Sequence, residues 1–213
     1  MKGIIWITAG AIGSLLILLI GFEAYAVIRA RARTPMIIAQ NKVRPITLAQ
    51  VGKRHLAMLL RVEGTGFFHH RGVGNVTPGQ GRTTMTQALV KRLYFDGGIQ
   101  TGFAKVEQSL IARYVFDPAV PKRDQLEMFL NLASFGTIRG RPVIGFENAA
   151  LTFHGKPIGS LDDRQFLSLI AMLEALVAGR CKPRDLTDVS YEDCPLGWLT
   201  QRMIDRRLAR RCA

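Results

Sequence analysis

With 213 residues, 48% of them apolar, and a formal net charge of +13, the chain can bury one good core and is too apolar for a disordered polyelectrolyte. The excess charge favours anionic partners such as acidic lipid headgroups or phosphorylated substrates. No nucleic-acid motif accompanies it, so a nucleic-acid partner is not expected.

Gly3 to Gly21 is an uncharged apolar run, long enough to span a bilayer core of about 20 helical residues. The small-x-small triplet Ala24-Tyr25-Ala26 allows a cleaved signal peptide as the rival reading, but the run is long for a signal core. Residues 1–28 are therefore expected to be a transmembrane anchor. Arg29, Arg31 and Arg33 after the span outnumber Lys2 before it, so charge alone would put the following domain on the cytoplasmic side. Residues 29–45, basic and marked by Pro35 and Pro45, read as a stalk, and 46–213 as the folded domain.

From there the pattern is almost wholly helical. Val51 to Val62 carries Leu56, Leu59 and Leu60 on one face, and Gly64 and Gly66 interrupt it just after Glu63. Phe67 to Arg82 reads as a long loop. Thr84-Met85-Thr86-Gln87 has the form of a capping box opening a helix through Tyr94, and capping alone could explain Thr84 and Gln87. Thr101 to Phe116 is amphipathic. A further helix begins near Pro121, carries Leu126, Phe129, Leu130 and Ala133, and is expected to stop at Gly136. Ile144 to Phe153 reads as a shorter helix ending at Gly155. Asp162 to Gln165 caps a very apolar helix through Ala178, expected at the centre of the core. Pro195 to Arg211 reads as a packed terminal helix with a basic face. No segment shows the period-two pattern of a strand.

The three cysteines, Cys181, Cys194 and Cys212, lie in this last stretch. Either a Cys181–Cys194 disulfide or three free thiols fits their spacing.

The chemistry-bearing residues fall between 63 and 107. Glu63, at a helix end beside Phe67 and Phe68, is placed to act as a general base if partly desolvated. Glu107 is the natural second carboxylate, with Lys105 or Arg113 as purely structural partners in the alternative reading. Lys91 and Arg92 could face a diphosphate, where cations stabilise charge developing on a leaving group. His69 and His70 are adjacent on a loop without further ligands nearby, so no metal site is assigned.

Taken in order, these residues are similar to the motifs of glycosyltransferase family 51, the peptidoglycan glycosyltransferases. The family's E-D-x-x-F-x-x-H-x-G corresponds to Glu63, Phe67, His70 and Gly72. Its G-x-S-T-I-T-Q-Q-L-x-K-N corresponds to Gly81, Thr83, Thr84, Met85, Thr86, Gln87, Leu89 and Lys91. Gln125 to Asn131 with Gly136 matches the fourth motif, and Gly145 to Lys156 the fifth. The chain departs from the pattern at Gly64, Ala88 and Arg92, where the family has aspartate, glutamine and asparagine. In the third motif, R-K-x-x-E, Glu107 is kept but the basic pair is Phe103 and Ala104. Lys105 is one residue off, about 100° round a helix, and is expected to be a poor substitute.

The resemblance implies an all-α protein, an N-terminal transmembrane helix plus a lysozyme-like two-lobed helical domain on the outer face of the bacterial cytoplasmic membrane, against the arginine count. It implies polymerisation of lipid II into glycan strands with release of undecaprenyl diphosphate. Glu63 and Glu107 would be catalytic, and Phe67, His70, Thr84, Gln87, Lys91 and Arg92 would bind substrate. No cofactor is required by the sequence, and Mg²⁺ or Mn²⁺ is compatible with it. Cell-wall synthesis proteins are the expected protein partners, and no cross-linking domain is expected. The departures leave a second expectation open: a fold that binds lipid II, glycan or a cell-wall partner without turnover.

Overall fold

Helix α1 runs unbroken from Lys2 to Gln40 and serves two environments in turn. Its first part bears exposed large apolar residues, among them Trp6, Ile17 and Leu18. By length and composition the helix could cross a membrane. Its last turns bury Ala30, Thr34 and Ile37, spaced four and three residues apart, as one face of a helix requires. The stretch 29–45 is thus not a free stalk: as far as Gln40 it is the end of α1, packed on the domain. Thr34 Oγ1 donates to Ala30 O at 2.8 Å and shares a 2.7 Å hydrogen bond with the Tyr94 hydroxyl, while Arg31 Nη2 donates to Tyr114 O. The computed structural model describes residues 2–42, 44–64, 66–74, 83–95, 102–138 and 140–177; the three cysteines, the terminal helix and residues 75–82 of the long loop lie outside them.

The domain that follows is mostly helical. Short α2 (Leu48–Val51) and α3 (Lys53–Glu63) are separated by Gly52, whose φ of +81° interrupts the single helix expected there. Next come α4 (Met85–Tyr94) and α5 (Phe103–Ile111). The expected Thr101–Phe116 helix changes character midway: Ala112–Phe116 winds as a π-helix before the brief α6 (Asp117–Ala119). Helix α7 (Lys122–Leu132) ends earlier than Gly136, and an antiparallel hairpin of β1 (Ser134–Ile138) and β2 (Arg141–Ile144) follows. No alternation marks these strands because a bulge between Ser134 and Thr137 breaks the register and Pro142 stands in the second strand. Helices α8 (Phe146–His154) and α9 (Asp163–Val177) complete the described chain.

Phe166, Leu169 and Ile170 of α9 are at most 1% exposed and join Phe116, Leu130, Phe135 and Phe146 in one buried cluster. Helix α3 is anchored to α9 by Leu59, which is fully buried, and by His55, whose ring stacks on Phe166 at 4.4 Å. Asp163 bonds Arg54 and lies 3.4 Å from His55 across the same seam. These contacts fix the helix whose last residue is Glu63.

Candidate active site

Glu63 closes α3, and Gly64 N–H still bonds back to Leu60 O at 3.1 Å. The chain then turns sharply: Phe67 N–H donates to Gly64 O at 2.9 Å, and the amides of His69 and His70 both reach Gly66 O at 3.0 Å. Gly64 is buried against the first residue of α4, and a Cβ added there would stand 2.9 Å from Met85 Cε and 3.2 Å from Phe67 Cβ. The glycine in place of the family's aspartate is therefore matched by close packing. At the far end of the turn Gly72 has φ +75°, and an added Cβ would be 2.3 Å from Ala112 O, so only glycine lets the turn dock on the π-helix.

The N-terminus of α4 is bound to the same turn. Thr84 Oγ1 donates to Gly72 O at 2.6 Å and accepts from Gln87 N–H, while Gln87 Oε1 accepts from Thr84 N–H. The expected capping box is present, and it uses the side chains of both residues. Gln87 Nε2 additionally donates to Ser109 Oγ on α5 at 3.0 Å. Thr84 and Gln87, expected to bind substrate, are buried and hydrogen-bonded within the fold.

Beneath the turn lies a polar cluster that sequence reasoning did not find. Thr86 donates to Gln125 Oε1 at 2.7 Å, and Gln125 Nε2 donates to Asp117 at 3.0 Å and to Val120 O. Asp117 pairs with Lys122 at 2.6 Å. The Lys122 ammonium also stands 4.8 Å above the Phe67 ring, 3.4 Å from His70 Nδ1 and 3.5 Å from Thr86 Oγ1. Burial first, and then the Lys122 charge, hold the His70 pKa below its ordinary value, with Asp117 acting in the opposite direction. His70 Nε2 is buried and has no hydrogen-bond partner among the described residues. The expected substrate-binding residues Phe67 and His70 thus sit over this cluster, Phe67 almost fully buried, whereas Phe68 is exposed.

Lys91 and Arg92 are exposed in the last turn of α4. Helices α4 and α5 are joined by Gln108 Nε2 donating to Gln87 O at 2.6 Å, and Lys105 Nζ donates to Gln108 Oε1 at 2.7 Å. Burial and then the Lys91 charge lower the Lys105 pKa. Glu107 is partly exposed on α5. Phe103, in the place of the family's first cation, is 63% exposed, and with Val106 and Leu110 it faces α1 across an apolar groove of about 580 Å³ that Glu23 also lines. Three further motif residues make contacts within the fold. Glu127 binds Arg44 and Leu48 N–H, Asn131 holds both backbone groups of Ile46, and Glu147 accepts from Ile158 N–H. Among the described residues no group of three or more His, Cys, Asp or Glu side chains could hold a metal ion.

The sequence profile of the Transglycosylase family matches residues 31–185, more than half of the chain. The chain belongs to this family, glycosyltransferase family 51. It is 32% identical over 94 residues to a biosynthetic peptidoglycan transglycosylase of Bordetella avium, covering 44% of this chain and 37% of that one. It is 28% identical over 135 residues to penicillin-binding protein 1B of Buchnera aphidicola from Baizongia pistaciae, covering 57% of this chain and 18% of that protein. It is likewise 28% identical over 129 residues to penicillin-binding protein 1B of Escherichia coli K12, covering 54% and 15%. The matches span less than two fifths of the length of these relatives. The family match begins inside α1, in the turns that bury Thr34 and Ile37.

Proposed function

We propose that the chain is a membrane-anchored peptidoglycan glycosyltransferase that polymerises lipid II and releases undecaprenyl diphosphate, with its domain on the outer face of the cytoplasmic membrane. The observation that carries the reading is the fixed turn behind Glu63: a family carboxylate at a helix end, backed by hydrogen bonds on both sides of the turn. Glu63 takes the proton of the acceptor hydroxyl as its oxygen bonds to the donor's anomeric carbon. The bond from that carbon to the diphosphate breaks, and the diphosphate leaves with the electron pair. Lys91 and Lys105, with Arg92, supply positive charge to the leaving group in place of the lost basic pair. Lys105, which its sequence position makes a poor substitute, is tied toward α4 through Gln108, which bonds the Gln87 carbonyl. The apolar groove between α1 and α5 suits the hydrocarbon chain of a lipid-linked substrate. Glu107 keeps its family role beside the diphosphate. Mg²⁺ or Mn²⁺ is a condition to vary, as no metal site is assigned.

The second reading, binding of lipid II, glycan or a cell-wall synthesis partner without turnover, is favoured by Gly64, Phe103 and Ala104 alone. Incubating lipid II with the full-length protein in detergent, with divalent metal varied and products resolved on a gel, separates the two. Glycan ladders support the first reading; retained lipid II binding without product moves the account to the second.

A further inference from the structure

We propose that Lys122 is the positioning residue for Glu63, clamping from below the turn that carries the carboxylate. Lys122 does not act on the substrate in this account. Its side chain is 18% exposed and its partner Asp117 only 11%, so both charges are largely removed from water. A buried ion pair of this kind contributes little net stability compared with apolar residues of similar size, so its presence calls for another role. The surroundings of the ammonium supply one. It is held on one side by Asp117, itself fixed by Gln125 Nε2 at 3.0 Å, and on the other it meets Phe67, at 4.8 Å from the ring centre, and His70 Nδ1 at 3.4 Å.

Those two residues are the underside of the turn. Phe67 N–H closes on Gly64 O and His70 N–H on Gly66 O, so fixing the two rings fixes the backbone directly after Glu63. A cation over an aromatic face is attracted by the ring quadrupole, more strongly where water is excluded. Asp117 follows the π-helix on whose first residue Gly72 docks, so both ends of the turn are referred to one structural block. Lys122 is the side chain that meets α4 through Thr86, α6 through Asp117, and the turn through Phe67 and His70.

The catalytic use of the clamp rests on the glycosyltransferase reading, so the test has two readouts on full-length protein in detergent. The first is hydrogen exchange, which needs no turnover. In Lys122→Met, amides of the turn including Phe67, His69 and His70 should exchange about tenfold faster while α9 is unchanged, and Lys122→Arg should restore protection. The second is lipid II polymerisation. Lys122→Met should lower kcat about tenfold or more with KM for lipid II nearly unchanged, and Lys122→Arg should recover most of it. Unchanged exchange in the turn overturns the proposal, as does loss of protection throughout the domain, which would make Lys122 a general stabiliser. A rise in KM at constant kcat also overturns it, because the residue would then serve binding. If the parent makes no glycan, the reaction reading falls together with the catalytic use of the clamp, and the exchange result alone decides whether the clamp exists.

Discussion

The two ends of the catalytic region are built in opposite ways. Around the N-terminus of α4 nearly every polar group is tied: Thr84 to Gly72 and Gln87, Thr86 to Gln125, Asp117 to Lys122, and the turn after Glu63 to its own backbone. Around the N-terminus of α5 the family's two cations are gone, Phe103 is exposed toward an apolar groove, and the remaining charge comes from Lys91 and Lys105 on neighbouring faces. In the proposed reading, the end that carries Glu63 is held by hydrogen bonds, whereas the leaving-group end draws its charge from residues other than the family's basic pair. If the proposed reaction holds, turnover should be limited by stabilisation of the departing diphosphate rather than by proton abstraction.

Removing the base should have the largest effect. Glu63→Gln should lower turnover on the order of 10²- to 10⁴-fold, measured as initial rate of lipid II consumption. At the other end, restoring the missing cations with Phe103→Arg and Ala104→Lys together should raise turnover, by up to about 3 kcal/mol of transition-state stabilisation if leaving-group charge is limiting. An unchanged rate would mean that the α5 end is already sufficient. Lys105→Met should reduce kcat about tenfold, and the alkaline limb of the parent's pH–rate profile should fall below the ordinary lysine range, because burial and Lys91 lower the Lys105 pKa.

Smaller effects test the base end as a structure. Thr84→Ala should cost about 1 kcal/mol of stability by chemical denaturation, since it removes the N-cap of α4. The pH effect follows from His70, whose folded pKa is depressed: the unfolded chain binds the proton first, so stability is lost as pH falls through about 6.5 toward the lower folded value. The charged groups facing His70 are Lys122 from α7 and Asp117 from α6. His70→Gln should flatten that part of the stability curve, read by thermal melts between pH 7 and 5.

What was legible in the sequence follows the same division. The capping box of α4, the cap of α9 and the glycine ending α8 are local signals, and each element is found where its residues put it. The reading of residues 29–45 as a stalk rests on arginines and prolines, which say nothing of packing; Ala30, Thr34 and Ile37 carry the stripe by which the end of α1 is buried. The hairpin escaped because Gly136 and Pro142 disguise both strands. Gln125 is visible only as part of a motif, and Lys122 and Asp117 could not be singled out, since their role comes from side chains brought together from α4, α6, α7 and the turn. Lys105 lies on the expected helix, but that its ammonium bonds Gln108, and Gln108 the Gln87 carbonyl, depends on how α5 packs against α4.

The most direct measurement is lipid II polymerisation by the full-length protein beside Glu63→Gln, with another family member as a working control in the same detergent. The account predicts glycan from the parent and almost none from the variant. Equal product from both would remove Glu63 as the base, and no product from the parent while the control works would leave a binding protein in place of an enzyme.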